Sequence, residues 1–266
     1  MLSYYNWEGT NIRNLYKELF ILPFMKLRQL LLAALSILDG GSFSEQRTDL
    51  SSNHKSVESH SSGSITSRIN EYCFKPSPSF LIGVQRDSTT PKHFLSEHEN
   101  VEAVVNGVYF GEDFTPLGIA YVNGHEYANG NRNQTRGYFS IDRKGKIQVG
   151  ERLSPKLKQY TFVIGTQPLL ITGGIVHKQA KETRYKLNVA YRSAIGTKND
   201  DICFVVSKFP VRMQPWAEIL KNEGYEGALN LDGGPVSQLA VRKDNKLSDY
   251  GIGIENTQLV IYASRK

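Results

Sequence analysis

The chain has 266 residues, 39% of them hydrophobic and 22% charged, a globular balance that excludes a collagen-like or largely disordered protein. Its net charge of +6 comes without any run of basic residues, so no nucleic-acid partner is expected, and the excess reads as solubility charge or a weak pull on anions. Two cysteines without a CxxC and six histidines without an HExxH exclude a zinc ribbon, a thioredoxin-type motif and a zincin, so neither metal nor cofactor is expected.

The first informative segment is MKLRQLLLAALSIL, from Met25. Lys26 and Arg28 form a charged region, Leu30 to Leu38 an apolar one, and Ser42-Phe43-Ser44 supplies small residues for cleavage before Glu45. This is the order of a signal peptide, and it predicts export to the periplasm or beyond. The apolar run is shorter than the roughly 20 residues of a membrane span, so no stable span is expected. Serine dominates residues 45–66, where there is too little apolar surface to offset ordering entropy, and a flexible linker is predicted. The expected organisation is therefore an N-terminal extension and signal-like segment at 1–44, a linker at 45–66 and one domain at 67–266. Within that domain Cys73 and Cys203 either pair or remain free and buried.

Strands are expected from Phe80 to Arg86 and from Val101 to Phe110, followed by alternating runs at Ile119 to Val122 and Tyr138 to Asp142. His93 and His98 are five apart between the first two, a poor ligand spacing on a helix, and read as a solvated face. Asn123-Gly124 and Lys144-Gly145 have the chemistry of hairpin turns. Short apolar runs at Phe162 to Thr166 and Pro168 to Thr172 precede a hairpin formed by Ser193 to Thr197 and Asp201 to Ser207. The best helix runs from Pro215 to Glu223, with Pro215 at its first position, Trp216, Ile219 and Leu220 on one face, and Gly224 closing it. A strand at Ala228 to Leu231 then enters Asp232-Gly233-Gly234, and the last strand covers Gln258 to Tyr262. The class predicted is α+β: a single strand-rich domain with a mixed sheet and a few short helices.

Four separated stretches carry more than turn chemistry: VVNGVYF at Val104 to Phe110, TPLGIAYVNG at Thr115 to Gly124, YRSAIGT at Tyr191 to Thr197 and ALNLDGGPVSQL at Ala228 to Leu239. In this order they resemble the phosphodiester glycosidase domain family, over about residues 70 to 264. Its members remove N-acetylglucosamine from a phosphodiester link to mannose or are exported bacterial proteins. Asn106 and Gly107 match the family's Asn-Gly pair, Tyr109 and Phe110 its aromatic pair, and Pro116 and Gly118 its Pro-x-Gly. Gln167 and Pro168 fit its polar-then-proline step, Arg192 and Gly196 its Arg-x-x-x-Gly. Asp232, Gly233 and Gly234 match its acidic turn, and Ser237 and Gln238 the positions after it. Val108 and Val236 depart from the family's usual glycine and serine.

The resemblance implies a hydrolase that breaks the anomeric C–O bond of a sugar-1-phosphodiester in a glycan or envelope polymer. The phosphate monoester released is already a good leaving group, its second pKa being about 6, so a strong general acid is less necessary than a cation to hold the growing charge. Arg192 suits that task through its guanidinium fork, and Asp232 suits the developing oxocarbenium ion. Asn106 completes the catalytic set by orienting the carboxylate or a sugar hydroxyl. Gly107, Tyr109, Gln167, Gly233, Gly234 and Ser237 are expected to contact substrate, the glycine backbone donating N–H groups to an anion. Arg192 could instead be a structural partner of Asp232, Asn106 a satisfier of buried backbone groups, and Tyr109 a core residue. Glu112 and Asp113 are the candidates for a second carboxylate. A carbohydrate-binding module without turnover, or a structural envelope protein, would carry the same fold.

Overall fold

The computed structural model describes residues 67–265, apart from 78–79 and 131–134. The signal-like segment, the Ser-rich linker and Asn133-Gln134, the first two residues of an Asn-x-Thr sequon, lie outside the described residues. Three antiparallel sheets and two short helices make up the rest.

One sheet has six strands in the order β1 (Ile69–Phe74), β12 (Asp201–Ser207), β11 (Ser193–Lys198), β13 (Gly227–Asn230), β9 (Leu169–Thr172), β10 (Ile175–Val176). A second has five: β15 (Lys246–Gly251), β14 (Gln238–Lys243), β3 (Val101–Asn106), β16 (Val260–Arg265), β2 (Phe80–Gln85). The third is β5 (His125–Asn129), β4 (Ile119–Val122), β8 (Tyr160–Thr166), β6 (Gly137–Asp142), β7 (Ile147–Gly150).

Strand alternation divides the core. On β3, Ala103 and Val105 face a central cluster, joined there by Phe204 of β12, Phe139 of β6, Phe162 of β8, Leu229 of β13 and Ile261 of β16. Val104 faces the other way, onto Phe94 and Leu95 of helix α1 (Pro91–Glu97), and an irregularity in the pairing with β16 between Ala103 and Val101 turns Val101 to that side as well. Cys203 and Val205 of β12 likewise turn outward, under Trp216, Ala217 and Leu220 of helix α2 (Met213–Asn222).

This arrangement corrects the expected mixed sheet. Unbroken apolar runs such as AVV at 103–105 and ICFVV at 202–206 are the pattern of strands buried on both faces, commonest in parallel sheets. Here a helix over the outer face of each of these two antiparallel sheets produces the same pattern, and every pairing among the described strands is antiparallel.

Helix α2 starts two residues before the predicted position, because Pro215 is tolerated anywhere in the first turn, where N–H groups lack intrahelical partners. Gly224, at φ +91°, closes it as expected, with Tyr225 N–H reaching back to the Leu220 carbonyl at 3.1 Å. The Asn123-Gly124 hairpin also forms, with both residues at positive φ. Cys73 and Cys203 face each other across β1 and β12 and form a disulfide spanning 130 residues of sequence. No helix of the described residues is long and apolar enough to cross a membrane.

Candidate active site

Strand β3 ends at Asn106, shorter than predicted, and this break begins the site. The Gly107 carbonyl leaves the sheet to accept from Asp232 N–H at 2.9 Å. Val108, in place of the family's usual glycine, is buried against Gly118, where an added Cβ would lie 2.7 Å from the valine Cβ. Beyond it Tyr109 and Phe110 turn into a cleft of about 570 Å³. Gly118, Thr166, Gln167, Asn188, Arg192, Asp232, Gly233 and Pro235 also line this cleft.

Asp232 follows β13 and is the only carboxylate among the described residues that line the cleft. Its backbone carbonyl accepts from Asn106 Nδ2 at 2.9 Å and from Ser193 Oγ at 2.7 Å, and its Oδ1 accepts from Gly233 N–H at 2.8 Å. Burial pushes its pKa up to about 7; the Gly233 bond opposes the shift and the Glu255 charge adds to it. Arg192 is 3% exposed, and burial pulls its pKa down. Its Nε donates to the Val211 carbonyl at 3.1 Å and its Nη2 to the Asn188 carbonyl at 2.6 Å. Among the described residues Nη1 has no acceptor, and no carboxylate lies within ion-pair distance of the guanidinium. Gly233 makes room for it: a Cβ there would sit 3.3 Å from Nη1.

The structure therefore gathers Asp232, Arg192, Tyr109, Gln167, Gly233 and Gly234 on one cleft. It places the other three expected residues behind it. Asn106 is fully buried, its amide divided between the Asp232 backbone carbonyl and Gln238 N–H, so it braces the backbone that carries the acid. Gly107 is walled by Leu259, and the Ser237 hydroxyl is spent on the Tyr191 carbonyl.

Two further expectations are corrected. The glycine turn offers no pair of free N–H groups to an anion, because Gly233 N–H bonds Asp232 Oδ1 and Gly234 N–H bonds the Tyr191 carbonyl. The fork of Arg192 is not free as a whole, since backbone carbonyls hold two of its nitrogens; one arm remains. Glu112 and Asp113 do not line the cleft; Asp113 is spent on Thr115 N–H and Oγ1.

Tyr109 Oη accepts from Asn230 Nδ2 at 2.7 Å, and burial together with the Asp232 charge raises its pKa. Gln167 brings to the cleft a buried Oε1 with no hydrogen-bond partner among the described residues, and Tyr185 a buried hydroxyl in the same condition. Burial raises the Tyr185 pKa to about 12.

Tyr185, Arg184 and Asn188 belong to a strap, residues 177–190, that sequence reasoning missed. It contains two 3₁₀ turns, Lys178–Lys181 and Thr183–Tyr185, and has no strand or helix period to betray it. Buried Gln179 fixes one end: it accepts from Leu169 N–H at 2.9 Å and donates to the Arg136 carbonyl at 2.9 Å. Arg136 holds Glu182 through two bonds of 2.7 and 2.6 Å, and Glu182 holds Arg184 at 2.8 Å.

The family model for phosphodiester glycosidase matches residues 99–260. The chain belongs to the phosphodiester glycosidase family. All the cleft residues described above fall inside that match. Among solved structures, a hypothetical protein from Synechocystis aligns with a TM-score of 0.60 at 15% identity, over 74% of this chain and 59% of that one. The catalytic domain of zebrafish N-acetylglucosamine-1-phosphodiester alpha-N-acetylglucosaminidase, auto-inhibited by its pro-peptide, aligns with a TM-score of 0.56 at 12% identity, over 75% of this chain and 89% of that one. At these identities the likeness is one of fold. No curated protein matches the sequence.

Proposed function

We propose that the protein is an exported hydrolase that cleaves the glycosidic bond of a sugar-1-phosphodiester. The observation that carries this reading is one half-buried acid and one buried arginine that has no carboxylate partner among the described residues, both lining the same cleft. An unpaired guanidinium in low dielectric is a strong attractor for an anion, and here one arm of it is left to donate.

In the proposed reaction the anomeric C–O bond breaks and the phosphate monoester departs with the bonding electrons. Nη1 of Arg192 stabilises the negative charge that grows on the phosphate. The ionised carboxylate of Asp232 faces the oxocarbenium character of the sugar, either shielding it or bonding to C1. Water supplies the hydroxyl that ends on C1, displacing the Asp232 carboxylate where it has bonded there, and the water's proton leaves to solvent or to Asp232. Gln167 and Tyr185 bring unpartnered polar atoms for sugar hydroxyls. A single lining carboxylate suffices because phosphate needs no strong acid to leave. The signal-like N-terminal segment and the Cys73–Cys203 disulfide, a bond that persists in oxidising compartments, support export to the periplasm or outside the cell.

The test is release of an aryl phosphate from an aryl sugar-1-phosphodiester, read through a coupled phosphatase. Turnover that Asp232→Asn abolishes without loss of folding supports the reading. Sugar phosphate binding without turnover would make the protein a binding module, and absence of both would refute the assignment.

A further inference from the structure

The strap that walls the cleft has a second side. Arg184, Tyr185, Asn188 and Ala190 line the cavity, while the intervening Lys186, Leu187 and Val189 face solvent. Leu187 is 88% exposed and Val189 53% exposed. The strap ends by pairing Ala190 with Val211, through bonds of 3.3 and 2.8 Å, and this brings it beside the turn before α2. That turn exposes Lys208, Phe209 and Arg212, and Met213, next in sequence, is again a cleft residue.

No aspartate or glutamate occurs in residues 183–192 or 207–217. The acids flanking these segments are Glu182, which is held by Arg136 and Arg184, and Glu218, which accepts from Gln214. Lys186, Lys208 and Arg212 form no ion pair among the described residues. Three unneutralised cations interleaved with three exposed apolar side chains thus border one side of the cleft mouth. Phe114, the exposed aromatic of another cleft-side loop, follows Glu112 and Asp113 directly and has the opposite charge setting.

We propose that the strap and the turn before α2 form a docking surface for an anionic lipid bilayer, seating the mouth of the cleft against the membrane. The cations supply attraction to the headgroups, and Leu187, Val189 and Phe209 enter the boundary with the acyl chains. Two such signals together give stable but reversible attachment, which either alone would not. A soluble acidic glycan would satisfy the cations but leave a leucine almost wholly in water with no partner. The docking rests on this surface and not on the chemistry of the cleft, so it stands or falls separately from the proposed reaction.

The experiment is co-sedimentation of the full chain with vesicles of phosphatidylcholine, alone or with about a third phosphatidylglycerol. Wild type is expected on the anionic vesicles only, and to leave them in 1 M salt. Replacing Lys186, Lys208 and Arg212 together by Gln should weaken partitioning about a hundredfold, at about fivefold for each cation. Replacing Leu187, Val189 and Phe209 together by Ser should weaken it at least tenfold at low salt. Emission gained by Leu187→Trp over wild type should shift to the blue on anionic vesicles, which separates this patch from the N-terminal apolar run. None of these six residues lines the cleft, so turnover or binding of a soluble sugar-1-phosphodiester should be unchanged.

Absence of wild-type binding to anionic vesicles overturns the proposal, as does unshifted emission from the Leu187→Trp variant. Equal binding to a soluble acidic polysaccharide, insensitive to the serine variant, would assign the surface to a glycan instead. A serine variant with a lowered unfolding midpoint and undiminished vesicle binding would mean that the chain covers the patch itself.

Discussion

Replacing Asp232 by Asn should make the protein more stable, and increasingly so as pH rises. The carboxylate has a folded-state pKa of about 7 against an ordinary value of 3.8, chiefly because of burial. A raised carboxylate pKa means that the folded state favours the proton. Stability is therefore fullest below pH 4, falls as the unfolded chain ionises while the folded one does not, and levels off above about 7. The shift of about three pKa units corresponds to a ceiling of about 4 kcal/mol, lost at about 1.4 kcal/mol per pH unit. Asparagine keeps an oxygen to accept from Gly233 N–H and never ionises, so the variant escapes this loss. Urea unfolding of both proteins between pH 4 and 8.5, compared at equal slopes, should give curves that coincide near pH 4 and separate by as much as about 4 kcal/mol at pH 8. A pH-independent difference, or a variant that is weaker throughout, would show that the folded protein already stabilises the charge, and the burial argument would fail.

The same pKa predicts that kcat/KM on a sugar-1-phosphodiester rises with pH to a plateau, with its midpoint near 7; a falling limb there would make Asp232 the general acid instead. Gly233→Ala adds a Cβ 3.1 Å from the Tyr191 carbonyl oxygen and 3.3 Å from Arg192 Nη1 on an extended backbone, so it should lower turnover at least tenfold and cost about 1 kcal/mol of stability. Gly234→Ala meets nothing within 4 Å but must hold φ +71°, so urea unfolding should show a loss of about 1–2 kcal/mol, and a neutral result would mean that the turn relaxes. Cys73→Ser with Cys203→Ser opens a link across 130 residues and should cost about 2–5 kcal/mol of stability, measured against the oxidised wild type.

Asp232 was legible from its own place before a glycine pair, and Arg192 and Tyr109 through the family resemblance. Asp232 at the end of an apolar run, Arg192 ahead of a strand, and the Tyr109 aromatic step all reach the cleft, because strand ends point there whatever the sheet order. Sheet order itself was not legible, since helices over antiparallel strands write the same apolar runs as parallel ones. Asn106 and Ser237 could be found but not assigned. A polar residue beside a glycine reads alike whether it faces a ligand or braces the backbone behind one, and both are buried. The strap left no trace because its course is set by Gln179 and the Arg136–Glu182 pair, contacts between residues 43 and 46 positions apart that no local pattern encodes. Glu255, whose charge acts on Asp232, was equally hidden, because its approach depends on the turn through Ile254 and Pro235.

One oxygen atom ties the architecture to the chemistry. The Asp232 carbonyl accepts from Asn106, at the end of a strand in one five-stranded sheet, and from Ser193, at the start of a strand in the six-stranded sheet. The two donors come from layers that are joined elsewhere by Tyr72 of β1, which donates to Glu102 of β3 at 2.6 Å. Together they act as a spacer gauge: the acid has its working position only when both layers stand at one separation and one register. Substitutions far from the cleft that let the layers drift should therefore silence the protein before they unfold it. Three short stretches scattered over more than a hundred residues are bound to one another by geometry alone, and none of them can be altered as an independent part.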